Sequence, residues 1–360
     1  MTPAIHRTLL VFAAGALAWT FSAYAQMPGQ WVTTTKFAPV PNLAEEYWGI
    51  TAGGKYYLFG GTPERSPGRS VLPGRVLEYD PAADKWTSKK QMPRPADHMA
   101  VAEYRGKVYV FGGASTERPG DTGPDNFQLN DSWEYNPADD TWKALAPMPT
   151  RRNAAAAAEA GGKIYVIGGN GVAPGFSNPV TSPDNFLVLG TNEAYDPASN
   201  TWETRRAMTT ARNHPAIGNV AGKLYLIGGR LAGANVGNFV SSPTDIVEEY
   251  DPASDRWRAM NKMPTARSGQ GWAVHQGRIY VLGGEVRDYH MDAIFRDFEA
   301  FDPATNQWFR LPPMPTARHG VNVAALGNRL HAIGGHVAFA ATAEHHGDTD
   351  AHEVFEFPGR

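Results

Sequence analysis

The sequence contains no cysteine. No disulfide can therefore stabilise the fold, no thiolate can act as a nucleophile, and no metal site can use cysteine ligands. Charged residues are also scarce, at 19%, and the formal net charge is −3. This balance, without a block of Lys and Arg, argues against a nucleic-acid partner. No nucleophile-elbow, phosphate-loop or dinucleotide-binding motif stands out, so we expect no cofactor.

The N-terminal residues 1–25 have the pattern of a secretory signal peptide. Arg7 precedes an apolar stretch at residues 8–19, and an Ala-Tyr-Ala motif ends at Ala25, which predicts cleavage before Gln26. The alternative is an uncleaved membrane anchor, but the stretch is short for a span of about 20 residues. We therefore expect a periplasmic or secreted protein with no membrane insertion after cleavage.

The rest of the chain is a repeat. Gly-Gly pairs end six β-branched or aromatic runs, which are predicted to be strands. Five aromatic-Asp/Asn-Pro motifs follow, and each has a tryptophan seven residues after its aromatic residue. The Gly-Gly pairs lie at 60–61, 112–113, 168–169, 228–229, 283–284 and 334–335. The tryptophans are Trp86, Trp142, Trp202, Trp257 and Trp308.

The spacing of these markers divides each repeat into a constant half and a variable half. Every one of the five tryptophans is followed by a Gly-Gly pair 26 residues later, whereas the distance from Gly-Gly to the next tryptophan ranges from 25 to 34. Four strands fit each unit. Strand a follows a turn, strand b ends in Gly-Gly, strand c ends at the aromatic-Asp-Pro motif, and strand d contains the tryptophan.

These markers, in this order, closely resemble the Kelch repeat, a period of about 50 residues that forms one four-stranded blade of a β-propeller. The resemblance covers nearly all of residues 26–360 and implies one all-β domain with six blades. The last blade lacks its tryptophan, although strand c fits at residues 353–357. We therefore expect residues 30–35, with Trp31, to supply the missing strand d and close the ring, which removes open sheet edges.

The meander predicts two different faces. The d–a and b–c connections share one face, here called the loop face, and the short a–b and c–d turns share the other, here called the turn face. Because the b–c segments are long and variable, and loops on a rigid scaffold often carry function, we expect the loop face to be functional.

Candidate binding residues occur at the mouth of the central channel. Blades 3 to 6 have an arginine before strand a, whereas blades 1 and 2 have acidic residues nearby. Each arginine either bonds neighbouring blades or contacts an anionic ligand, and the acids are either its partners or a general base. The full candidate set is Glu45, Glu46, Asp97, His98, Arg152, Asn153, Arg212, His214, Arg267, Arg318 and His319.

Two further features leave alternatives open. Phe127, Phe186 and Phe239 recur in the b–c segments, where they either pack on a blade or form an aromatic rim for a ligand. Six of the eleven histidines lie in blade 6, but their spacing matches no zinc signature, and we expect no metal.

The favoured function is an interaction module, a monomer that binds a protein or a carbohydrate on the loop face. The alternative rests on a looser similarity to the periplasmic N-acetylneuraminate epimerases, which implies a sugar-acid epimerase or mutarotase at the channel mouth with unassigned catalytic residues. A copper enzyme resembling galactose oxidase is excluded, because that family's cofactor requires a cysteine.

Overall fold

The computed structural model describes residues 25–41, 44–63, 74–115, 127–175, 186–231, 242–287, 292–337 and 347–359. These residues form strands and turns, and the main sheets are six four-stranded antiparallel meanders. Each strand a contacts the strand a of both neighbouring blades, so the six sheets close into a ring around a central channel. Over the described ranges, no helix has the length and apolarity that a membrane crossing requires.

The strands of each blade follow the predicted order. Blade 1 contains Ala44–Ala52, Lys55–Pro63, Val76–Asp80 and Lys85–Ser88. Blade 2 contains Ala100–Tyr104, Lys107–Phe111, Ser132–Asn136 and Thr141–Ala144. Blade 3 contains Ala156–Ala160, Lys163–Ile167, Asn192–Asp196 and Thr201–Arg205.

The second half of the ring repeats this arrangement. Blade 4 contains Ala216–Val220, Lys223–Ile227, Val247–Asp251 and Arg256–Ala259. Blade 5 contains Gly271–His275, Arg278–Leu282, Phe298–Asp302 and Gln307–Arg310. Blade 6 contains Asn322–Leu326, Arg329–Ile333 and His352–Glu356, and takes Gln30–Trp31 as strand d. The b–c segments of blades 2, 3 and 5 add the small hairpins Ala114–Ser115 with Phe127–Gln128, Asn170–Val172 with Phe186–Val188, and Glu285–Arg287 with Asp292–Ile294.

The aromatic markers join each blade to the one before it. In blade 3, Tyr195 lies opposite Trp202 with ring centroids 5.2 Å apart. The Trp202 indole donates to the carbonyl of Ala146, which lies just beyond strand d of blade 2, at 2.8 Å. Tyr195 donates to the side-chain oxygen of Asn200, and that oxygen also accepts from the amide of Ala146. Because this unit recurs around the ring, the aromatic residues explain the regular blade packing.

In the Gly-Gly pair of blade 3, the first glycine lets the backbone of the next blade approach, and the second lets the d–a turn of its own blade approach. Gly168 has a φ of +74°, and a Cβ there would lie 2.5 Å from the carbonyl oxygen of Arg212 in the next d–a turn. Gly169 has a φ of +99°, and its Cβ would lie 2.4 Å from the carbonyl oxygen of Asn153. Any larger residue would combine backbone strain with a backbone clash, which explains why strand b ends in this pair.

The ring is closed as the sequence predicts. Trp31 lies opposite Phe355 of strand c in blade 6, and the ring centroids are 5.5 Å apart. The closing strand covers two residues, Gln30 and Trp31, rather than the expected six, and the amide of Val32 adds one further hydrogen bond to the carbonyl of Val354 at 2.8 Å. The six-bladed architecture and its N-terminal closure are therefore confirmed, and the closing strand is shorter than predicted.

Candidate functional site

The four predicted arginines are buried in ion pairs inside their own blades. In blade 5, Arg267 Nη1 lies 2.7 Å from Glu299 Oε2, and the side chains are 0% and 1% exposed. Arg152 pairs with Glu193 at 2.7 Å and Arg318 pairs with Glu353 at 2.7 Å. Arg212 and Glu248 form the equivalent contact in blade 4. Each guanidinium also donates to backbone carbonyls of its own blade.

Backbone contacts of the same arginines reach the preceding blade. The amide of Gly113 donates to the carbonyl of Arg152 at 3.0 Å, and that of Gly284 donates to Arg318 at 2.8 Å. Burial lowers the pKa of Arg152 to about 10, although the adjacent Glu193 carboxylate opposes that shift. Desolvation also lowers the pKa of Arg212 and of Arg318. All these contacts are structural, so the geometry favours the blade-bonding alternative over ligand contact.

The glutamate partners were missed by the sequence analysis, although the repeat contains a signal for them. Blades 3 to 6 have glutamate two residues before the aromatic residue of strand c, and these are the blades that have the arginine. At that position blades 1 and 2 have Leu77 and Trp133, and at the arginine position they have Ala44 and Ala96. The four arginines thus each pair with the strand c glutamate of their own blade.

Two predicted histidines meet at the channel mouth. His98 and His214 follow the arginine position by two residues in their repeats, and both have a left-handed backbone, with φ of +49° and +52°. Ala154, Gly269 and Gly320 take the same conformation at the equivalent positions. The rings of His98 and His214 lie 5.1 Å apart, and Trp48 of blade 1 approaches them to 6.2 and 6.4 Å. Aromatic rings from blades 1, 2 and 4 therefore lie close together at the channel mouth. The equivalent position of blade 3 has only the small side chain of Ala154.

Polar side chains next to these histidines hold them in place. His98 Nδ1 lies 3.0 Å from Asp97 Oδ1, and His214 Nδ1 lies 2.6 Å from Asn213 Oδ1. Asn153 is buried, and its backbone pairs with Asn170 across the d–a and b–c connections of blade 3. Among the remaining candidates, Glu45 and Glu46 lie in strand a of blade 1, and their side chains are outside the described part of the structure.

His319 belongs to a network of ionisable side chains under the loop face. Arg230 contacts Glu285, and His319 Nε2 lies 3.7 Å from Glu285 Oε2. The ring of His319 lies 5.3 Å from that of His336, whose Nδ1 is 3.4 Å from Asp348 Oδ1. This network of side chains extends across blades 4, 5 and 6. Within the described ranges, no group of three or more His, Asp or Glu side chains is placed to hold a metal ion.

Blade 6 contains a second histidine pair, which lies in the core. His331 Nδ1 lies 2.8 Å from His352 Nε2, and His352 Nδ1 lies 2.9 Å from the carbonyl oxygen of Ala38. A carbonyl only accepts, so His352 Nδ1 carries a proton, its Nε2 accepts, and His331 Nδ1 donates. Burial lowers the pKa of His331 to about 3 and also lowers that of His352. Both rings are therefore neutral at physiological pH.

The predicted aromatic rim is only partly described. Phe186 is half-buried in the hairpin of blade 3, the side chain of Phe127 is outside the description, and Phe239 lies outside the described residues. Other apolar side chains are exposed on this face. Leu187, Leu231 and Val337 are 41%, 43% and 43% exposed, and they are the exposed large hydrophobic residues of the described chain. All three lie in b–c segments, which gives the loop face a scattered apolar character.

Comparisons with known proteins agree with this architecture. Models of the Kelch motif match residues 95–149, 211–264 and 266–315. Kelch-like protein 36 of Mus musculus is 27% identical over 303 residues, which cover 84% of this chain and 45% of that protein. Kelch-like protein terF of Aspergillus terreus is 27% identical over 330 residues, covering 88% of this chain and 66% of the relative. Alpha-scruin of Limulus polyphemus is 30% identical over 204 residues, which cover 56% of this chain and 21% of that protein.

The chain thus spans about half the length of the Kelch-like protein 36 sequences that it matches. Among solved structures, YjhT superposes with a TM-score of 0.69 at 18% identity, covering 88% of this chain and 95% of that one. At this identity the likeness concerns the fold alone. Propellers of this type are typically protein-interaction modules. The repeat markers, the six closed blades and the motif matches together show that the chain is a Kelch-repeat β-propeller.

Proposed function

We propose that the protein binds a protein partner through its loop face. The observation that supports this most is the distribution of exposed apolar side chains. Leu187, Leu231 and Val337 come from blades 3, 4 and 6, yet all three lie in b–c segments. Exposed apolar side chains on one face supply surface that a partner can bury, and long loops on a rigid ring can vary without disturbing the core.

Other features of the loop face fit the same role. The network of ionisable side chains lies just below the surface and includes Arg230, Glu285 and His319. It holds the d–a turns and b–c segments of three blades together. The loops therefore start from a firmly held base, which reduces the entropy that is lost when a partner binds.

No observation favours the sugar-acid isomerase. That activity would need cationic groups at the channel mouth to bind a carboxylate, but the four arginines lie behind the channel wall with side chains 0% exposed. A carbohydrate ligand on the loop face has no comparable support among the described side chains.

Export is a second part of the proposal. Its support is the sequence of residues 1–25, with an apolar stretch followed by an Ala-Tyr-Ala motif. Expression of the full chain in a bacterium, followed by N-terminal sequencing of the exported protein, tests it. A mature protein that begins at Gln26 is expected, whereas a full-length protein that stays in the cytoplasm would overturn export.

The loop-face proposal is tested by a pair of matched variants of the full chain. Leu187→Glu with Leu231→Glu places charges on the loop face. Ala83→Glu with Ala253→Glu places the same charges on exposed c–d turns of the turn face. Each protein, carrying a photo-crosslinking residue at position 337, is used to capture partners from cells of the source organism.

We expect a discrete protein adduct that forms with the unmodified chain and with the turn-face variant and is lost with the loop-face variant. An adduct that survives equally in both variants would contradict the proposal, as would one that both variants abolish. Circular dichroism and thermal unfolding of each variant show that the ring is intact.

A further inference from the structure

The central channel contains a cavity of about 500 Å³ that is bounded by strands of all six blades. The middle section of the cavity is apolar, and small residues from several blades line it. Val101, Ala102, Ala157, Gly218 and Val323 all line it. Such a wall matches a hydrocarbon chain and leaves recognition to the two ends of the cavity.

The end of the cavity near the turn face is acidic. Glu103 and Glu159 occupy the same position of strand a in the adjacent blades 2 and 3, and both line the cavity. None of the described residues that line it is a lysine or an arginine, because the arginines of the mouth are turned into the blades. The lining therefore favours a cation and disfavours an anion.

These carboxylates have more charge than their structural role requires. Glu103 Oε1 accepts from the amide of Gly106 at 2.6 Å, and Glu159 Oε1 accepts from the amide of Gly162 at 2.7 Å. In blade 4 the same turn is capped by Asn219, which accepts from Gly222 at 3.0 Å. An uncharged amide is thus sufficient to cap the turn, and the two negative charges are left to serve another purpose.

The end of the cavity near the loop face has an aromatic side chain. Trp48 lines the cavity at the strand position that Ala100 has in blade 2, which is three residues before the position of the two glutamates. An indole face attracts cations. Trp272 also lines the cavity, but in its middle section, at the strand position of Val101.

We infer that the channel binds a linear aliphatic polyamine. One ammonium group lies between Glu103 and Glu159, and the methylene chain runs along the small apolar residues. A second ammonium group is met by the indole face of Trp48. The two ends of the cavity are separated by about three strand residues, which is roughly 10 Å, so a longer polyamine satisfies both ends better than a short diamine.

This site is independent of the proposed protein-binding surface. The carboxylates lie at the turn-face end of the channel, and the rings of Trp48, His98 and His214 converge at the other end. The polyamine is therefore expected to enter from the turn face, and its binding can fail or succeed without any effect on the loop-face proposal.

Isothermal titration of the full chain with spermidine, at low and moderate salt, tests the inference. We expect saturable binding of one spermidine for each chain, weakened by salt, and tighter than the binding of putrescine. The variant Glu103→Gln with Glu159→Gln should bind spermidine at least tenfold more weakly. Its melting temperature should stay close to that of the unmodified chain, because glutamine can cap the turns as Asn219 does.

The control removes the same amount of charge elsewhere. Asp139→Asn with Glu203→Gln neutralises two exposed carboxylates outside the channel, and it should keep the affinity within about twofold. The inference would be overturned by the absence of saturable one-to-one binding, by equal losses in both double variants, or by equally tight binding of N-acetylneuraminate.

Discussion

Trp31 and Pro312 are joined by a hydrogen bond although 281 positions separate them in the chain. The indole Nε1 of Trp31 donates to the carbonyl oxygen of Pro312 at 2.9 Å. This is the same contact that Trp202 makes with Ala146 and that Trp257 makes with Arg206 in blades formed from continuous sequence. The N-terminal residue thus takes the place of the tryptophan that blade 6 lacks.

Trp31→Ala should destabilise the protein by about 3 kcal/mol, because it removes a large packed side chain and its hydrogen bond. The ring of Trp31 contacts Phe298 and Phe355, so the loss affects both blade 5 and blade 6. Denaturant unfolding followed by tryptophan fluorescence measures the change.

Trp202→Ala is the matched control, since it deletes the equivalent residue within a continuous blade. We expect the two variants to lose similar amounts of stability. A change at Trp31 of less than about 0.5 kcal/mol, beside a large change at Trp202, would show that closure does not depend on this residue.

Glu299→Gln should destabilise the protein by about 3–5 kcal/mol, because it leaves the guanidinium of Arg267 buried without its counter-charge. Replacing both partners, with Arg267→Met and Glu299→Leu, should restore much of the loss. Blade 1 already has an apolar residue, Leu77, at the position of Glu299. Equilibrium unfolding of the three proteins measures both effects.

Glu203→Gln serves as the exposed control for that series. Glu203 pairs with Lys163 at 2.8 Å, but the side chains are 47% and 37% exposed, and such pairs contribute at most about 1 kcal/mol. If Glu299→Gln lowers the free energy of unfolding no more than Glu203→Gln does, the buried ion pairs do not stabilise the protein as their geometry indicates.

Acid should destabilise the ring through the pair of His331 and His352. Their pKa values are lowered in the folded state, to about 3 for His331. The unfolded chain therefore binds protons below a pH of about 6.5, where the folded chain does not. The neutral histidine pair contributes its full share to the free energy of unfolding above pH 6.5. This share declines as the pH falls toward 3, by up to about 1.4 kcal/mol per pH unit for each proton.

His331→Tyr separates this effect from the titration of carboxylates, because the other five blades have tyrosine at the same position of strand b. We expect the free energy of unfolding of this variant to fall less steeply between pH 6.5 and pH 4 than that of the unmodified chain. Parallel pH profiles for the two proteins would show that His331 is not protonated on unfolding.

Much of the fold could be predicted because the repeat encodes it locally. Tyr195 and Trp202 face each other across one turn, and Gly168 needs a backbone conformation that glycine adopts readily. Such local requirements recur in every blade, so their spacing shows the number of strands and blades. The closing role of Trp31 followed from its position, because blade 6 lacks a tryptophan in strand d and Trp31 lies in the segment before strand a of blade 1.

The candidate site was less predictable because it depends on side-chain direction. The arginine positions were identified correctly, but the sequence alone could not show that Arg152 turns away from the channel toward Glu193, 41 residues further along. The co-occurrence of arginine and glutamate in blades 3 to 6 was present in the sequence. It indicates an ion pair only when strand c is known to lie beside the d–a turn.

The sequence by itself determined the number of blades, the order of their strands and the closure of the ring, because these follow from short-range patterns repeated along the chain. Only the tertiary structure decided the electrostatic character of the channel. Arg267 and Glu103 both belong to segments near the axis, yet the first is buried inside a blade and the second lines the cavity. Packing between strands sets those directions, and residues from different blades must come together before the cavity has an acidic end.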